Sequence, residues 1–172
     1  MHPDMPIEQV LRRIDTRFQF GFASEARELI PEDEEFLLKP SNTGLIVLGK
    51  NEDALAVPVE TLRDVYGPKL EVRQARVRLI EGVQVQEPIM DVRITLQSKF
   101  RIVVKDAMLA RGATPEEEYA RERTCVLRYQ APLARLLGLS TELNTCTTGT
   151  ARHWVALSHY ALVTGDPGGR AA

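Results

Sequence analysis

Between Met90 and Met108 the apolar residues change their spacing, and this change limits the fold more than any other feature of the chain. Met90, Val92, Ile94 and Leu96 alternate with Asp91, Arg93 and Thr95, the two-residue period of a strand with one buried face. Phe100, Val103, Val104, Ala107 and Met108 then recur at i, i+3, i+4, i+7 and i+8, which is one face of a helix. Gly112 follows, where a left-handed residue ends a helix with little strain. A strand that runs straight into a helix must lay that helix back across its own sheet.

The rest of the second half extends the pattern. Thr114–Tyr119 and Thr124–Gln130 read as two strands joined by a charged turn around Ala120–Arg123. Pro132 suits the first turn of a short helix carrying Leu133, Leu136 and Leu137, and Gly138 stops it. Ser140 or Thr141 starts another helical piece with Leu143 inside, ended by Gly149. Arg152–Val163 is a long last strand. The order β-α-β-β-α-β is the ferredoxin-like split unit, two helices over one face of a four-stranded antiparallel sheet.

The first half is a weaker copy of this plan. Ile7, Val10, Leu11 and Ile14 suggest an N-terminal helix, Arg17–Phe22 a strand and Ser24–Ile30 a short helix. Glu35–Lys39 and Gly44–Gly49 read as a hairpin across Pro40–Thr43. Leu55, Val59, Leu62 and Val65 or Tyr66 form a helical stripe, and Pro58 places the helix start near itself. Lys69–Ile80 reads as one long extended segment. The expected fold class is therefore α+β, with two ferredoxin-like sandwiches in tandem over residues 1–84 and 85–164, and a disordered tail at 165–172.

Composition narrows the function classes. With 44% hydrophobic and 27% charged residues, the chain has a soluble globular profile. Residues 1–85 hold 15 acidic and 11 basic side chains, and residues 86–165 hold 8 and 10. Neither half is a basic nucleic-acid footprint, so DNA is not an expected partner. Cys125 and Cys146 form no C-x-x-C pair and read as free thiols. No stretch approaches the roughly 20 apolar residues of a membrane span. The N-terminus lacks the basic flank and apolar core of a signal peptide. A reducing cytoplasm fits these features.

Specific motifs lie along the second half: Glu87-Pro-Ile-Met90, Ala110-Arg-Gly112, Ala131-Pro-Leu-Ala134, Leu137-Gly138 and Ser158-His-Tyr160. This series resembles the last domain of bacterial elongation factor G, the ribosomal translocase. That family reads E-P-I-M, R-R-G, V-P-L-x-x-x-F-G-Y, T-Q-G-R-G and S-H-Y in the same order. More faintly, Pro31–Phe36, Gly44–Gly49, Glu60–Gly67 and Leu70–Val72 resemble its third domain. The family's GTP-binding and long fourth domains have no counterpart here. Gly44 and Gly49 have the first spacing of a phosphate loop, but Lys50-Asn51 follows and lacks the Mg²⁺-binding hydroxyl. The resemblance thus implies a non-catalytic module that docks on the ribosome or a translation factor, with no cofactor. Several matched polar positions differ, however. The family's G-E-L-H-L stands as Asn51-Glu-Asp-Ala-Leu55, and T-Q-G-R-G as Thr147-Thr-Gly-Thr-Ala151. The alternative is a protein-interaction or oligomerisation module, such as a homodimer, that kept the scaffold and lost the ribosomal role.

Catalytic constellations are poor. His153 and His159 share a face of the last strand at i, i+6, about 20 Å apart, too far for one metal. A Cys125–His153 nucleophile pair requires neighbouring strands and an orienting carboxylate, and no residue stands out for that third role. The acidic runs Glu32–Glu35 and Glu116–Glu118 read as solvated faces. Arg111, Arg121, Arg123 and Arg128 are the candidate contacts to phosphate or an acidic partner. Trp154 faces away from the helices if Val155 and Leu157 face them. Packing on the first half or a second subunit is its expected role, with base stacking the alternative.

Overall fold

The alternation from Met90 to Leu96 is realised in a twelve-residue strand, and the helical stripe behind it folds back over that strand. The computed structural model describes residues 2–163; the tail expected at 165–172 lies outside the described residues. The second half runs β6 (Gln86–Gln97), α3 (Arg101–Ala110), β7 (Thr114–Arg121), β8 (Thr124–Pro132), α4 (Leu139–Cys146) and β9 (Arg152–Leu162). Its sheet has the order β7-β8-β6-β9, antiparallel throughout. Met90, Val92, Ile94 and Leu96 are buried against Val104 and Met108 of α3 and Leu143 of α4. Gly112 and Gly138 have φ of +71° and +79°, so both breaks use the left-handed region that favours glycine.

The first half contains β1 (Ile7–Arg13), α1 (Gln19–Leu29), β2 (Phe36–Ser41), β3 (Gly44–Gly49), α2 (Ala56–Tyr66) and β4 (Leu70–Val72). Its path β2-β3-β1-β4 repeats the order of the second sheet, and a short β5 (Arg76–Val77) also pairs with β1. The fold is therefore α+β, with two ferredoxin-like antiparallel sandwiches in tandem. Their buried apolar side chains form one connected cluster.

Three expectations for the first half are corrected. The segment around Ile7–Ile14 is a strand, not a helix. Ile7 and Leu11, both fully buried, are four residues apart, and i, i+4 share a side in a strand as well as in a helix. Ile14 is exposed and belongs to neither pattern. Arg17–Phe22 is not a strand, because α1 already begins at Gln19. The buried Gln19 amide donates to the carbonyls of Arg13 and Thr16, and its oxygen accepts from the Arg13 amide. That closes β1 onto α1. Lys69–Ile80 is broken into β4 and β5, both paired to β1.

The hairpin and second helix follow the sequence reading. Two residues, Asn42 and Thr43, connect β2 to β3. Pro58 is the third residue of α2, where a helix has no intrahelical acceptor for its amide, so no bond is lost. Residues 44–49 are a strand hydrogen-bonded on both edges, not a phosphate-cradling loop.

Candidate functional site

β-pairing determines which side chains share the open face of the second sheet, the face opposite the helices. Glu117, Arg128, Arg93 and Trp154 align in one row across β7, β8, β6 and β9. Tyr119, Val126, Thr95 and Arg152 form the next row. Arg121, Thr124 and Gln97 follow. The first two rows line a basin that also touches Asp91 and Glu116.

Trp154 is 57% exposed and Tyr119 is 56% exposed. The first half therefore does not cover Trp154, which corrects that part of the packing expectation. Tyr119 on β7 and Trp154 on β9 stand three strand spacings apart across the sheet, about 14 Å, and in adjacent rows. Arg128 and the Tyr119 hydroxyl both donate to Glu117, at 3.0 and 2.7 Å. The Tyr119 hydroxyl first, and then Arg128, hold the Glu117 carboxyl below its ordinary range. Among the described residues, Arg93, Arg121 and Arg152 have no carboxylate partner.

The acidic run Glu116–Glu118 is split by a bulge. Glu116 is the extra residue between Pro115 and Glu117 in the pairing of β7 with β8. Glu118 then turns to the helical side, where Arg101 and Lys105 of α3 bind its carboxylate. Arg101, and then Lys105, lower its pKa.

The other predicted contact residues separate. Arg121 and Arg128 lie on the open face. Arg123 is in the β7–β8 turn, where its carbonyl accepts from the Ser98 amide at 2.7 Å. Arg111 is on the helical side and is already engaged. Its guanidinium reaches the Glu142 carboxylate and the carbonyls of Arg135 and Leu137, the latter two at 2.9 Å. It ties the end of α3 to the start of α4. Arg93, Arg152 and Tyr119 escaped the sequence reading; of the three, only Arg93 alternates with buried neighbours, Val92 and Ile94.

A polar clasp joins the two halves. The connection after β3 presents Asn51, Glu52 and Asp53 to the second sheet. The Asn51 amide donates to the Val155 carbonyl at 3.0 Å, and the Gly138 amide donates to Glu52 at 2.8 Å. His153 Nε2 lies 2.6 Å from Asp53 Oδ2. The bond to Asp53 raises the His153 pKa against the opposing effect of burial. Separated by 100 positions, this pair carries no local signal in the sequence. The clasp occupies the segment where Asn51–Leu55 departs from G-E-L-H-L.

The suggested catalytic pairs do not assemble. Cys125 is fully buried on β8, and β6 lies between it and His153 on β9. Burial pushes the Cys125 thiol up, away from the reactive thiolate. His153 and His159 do not share a face. Ser158 is an extra residue in β9, so Leu157 pairs with Met90 whereas His159 pairs with Ile89. The bulge turns His159 towards the open side.

Comparison with known proteins adds three findings. Residues 84–170 match the family described as elongation factor G C-terminus. The chain is 33% identical over 78 residues to the mitochondrial ribosome-releasing factor 2 of Bos taurus. That match covers 45% of this chain and only 10% of the relative's length. A crystal structure of a Thermus thermophilus protein shares the fold, with a TM-score of 0.65 at 16% identity. It covers 95% of this chain and 41% of the other.

Proposed function

The chain belongs to the elongation factor G C-terminus family across residues 84–170, and on that premise we propose that it is a non-catalytic module of the cytoplasm that docks on the ribosome or on a translation factor. Residues 1–84 are the counterpart of the family's third domain and residues 85–164 of its last. The observation that carries this reading is the family match over the second sandwich, whose sheet keeps an open, arginine-bearing face. The partner contact falls on Arg121, Arg123, Arg128 and Trp154. Arg111 supports it from behind by fixing α3 to α4. The absence of chemistry rests on the side chains themselves. The Cys125 thiol is enclosed, and His153 is committed to Asp53.

Ribosome co-sedimentation tests the proposal. The protein should pellet with ribosomes at low salt, and Arg121→Gln with Arg128→Gln should weaken pelleting several-fold. Failure to pellet at low salt would remove the ribosomal reading. A protein-interaction module, including a homodimer, would then be the better account. Ile102 and Leu109, exposed on α3 at i, i+7, favour that second reading, and a dimer mass in solution would support it.

A further inference from the structure

We propose that the open face of the second sheet binds single-stranded RNA, with Trp154 and Tyr119 stacking bases and Arg93, Arg121 and Arg152 holding phosphates. This deepens the ribosomal reading, on which it rests, by naming the partner chemistry of the same face, but it does not need an intact ribosome.

Single-stranded nucleic acid presents alternating flat apolar rings and negative charges, and proteins take it on aromatic platforms set among cations. The face has this composition. Trp154 and Tyr119 expose more than half of their surface at its opposite edges. Arg93 is the direct cross-strand neighbour of Trp154, and Arg152 lies two residues before it on the same strand. A phosphate held there places its base over the indole.

Two acids of the face are already engaged. Glu117 is held by Arg128 and Tyr119, Asp91 accepts from Gln130 at 2.8 Å, and Glu116 sits at the bulge on the β7 edge. The three unpaired guanidiniums remain for an anion. An acidic protein segment would meet the same arginines but would leave both rings without a stacking partner. A second copy of this face would set arginines against arginines.

The chain has one tryptophan, so intrinsic fluorescence reads the contact directly. The full chain is titrated with a single-stranded octaribonucleotide of mixed sequence. Saturable quenching at low salt is expected. Trp154→Ala, followed by anisotropy of the labelled octamer, should weaken binding at least about fivefold, and Trp154→Phe should retain most of it. Arg93→Gln and Arg152→Gln should each reduce the salt dependence of log K by about 0.7. The side chains involved are exposed, and unchanged circular dichroism would confirm that the variants are folded.

Binding with no quenching, or with equal affinity in Trp154→Ala, would overturn the proposal, as would preference for a Glu-rich peptide. Lack of octamer binding with ribosome sedimentation intact would overturn this proposal and leave ribosomal docking standing. Trp154-dependent binding without sedimentation would support this proposal and remove docking.

Discussion

The two sandwiches share one strand order, 2-3-1-4 in their own numbering, yet they treat the sheet differently. In the first, β3 is buried almost from end to end. Leu45 and Val47 face the helices, and Leu48, on the other side, is buried as well. In the second, β6 and β8 alternate buried residues with accessible ones, and the far side stays open. The longer strands of the second sheet carry polar rows on that side, whereas the first sheet offers a mostly apolar strand between short neighbours. Topology alone therefore does not decide where a partner binds. The same wiring yields a closed supporting unit and a unit with a free surface, according to what the outward positions carry.

The largest expected effects test whether the two units stand or fall together. Leu62 in α2 and Met108 in α3 are both fully buried and belong to the connected core. Leu62→Ala and Met108→Ala should each cost about 2–5 kcal/mol. Because the core is continuous, each should shift one common transition. Urea unfolding followed both by circular dichroism and by Trp154 fluorescence checks this. Two separated transitions after Leu62→Ala would show that the sandwiches unfold independently.

A second pair of substitutions sharpens the contrast in packing. Gly44 opens β3 at φ +136°, and a Cβ there would lie 2.3 Å from the Leu11 carbonyl oxygen. Gly112 has φ +71°, and a Cβ there would meet nothing within 4 Å. Gly44→Ala combines backbone strain with a backbone clash and should cost about 3 kcal/mol or more. Gly112→Ala meets only the left-handed penalty, about 1–2 kcal/mol. Equal costs by urea denaturation would refute the picture of a tightly closed first sheet.

The difference between the halves also explains what the sequence reveals. In β6, Met90 to Leu96 alternate cleanly because one side is wet, and the strand, its helix and its ferredoxin-like order are legible from spacing alone. In β1 the buried anchors Ile7 and Leu11 satisfy helical and extended periods equally, so the segment reads as a helix. The open-face row was half visible. Arg128 and Trp154 stand out as residue types, but Arg93 joins them only through the register of β6 with its neighbours. Single-residue bulges hide from pattern reading as well. Ser158 turns His159 away from His153, and the bulge at Glu116 moves Glu117 to the open face and Glu118 to the helical one. The clasp was not legible, because the match between Asp53 and His153 exists only once both domains are packed.

That clasp sets the smallest effect, a pH dependence of the joint between the open and closed units. His153 is half-buried and its pKa is raised chiefly by the hydrogen bond to Asp53. A raised imidazole value means that folding favours the protonated form. The stabilisation is fully present below the unfolded imidazole value of about 6.5 and is lost as pH rises through the higher folded value. Stability should therefore decline as pH is raised from about 6.5 into the mildly alkaline range. Asp53 is half-exposed, so the contribution is about 1 kcal/mol or less. Asp53→Asn should flatten the slope and destabilise the protein more at about pH 6 than at about pH 8.5. The Asn51 and Glu52 bonds remain in that variant, so the domains should stay joined. Urea midpoints at both pH values measure the effect, and an unchanged slope in Asp53→Asn would show that the pair does not link protonation to the domain joint.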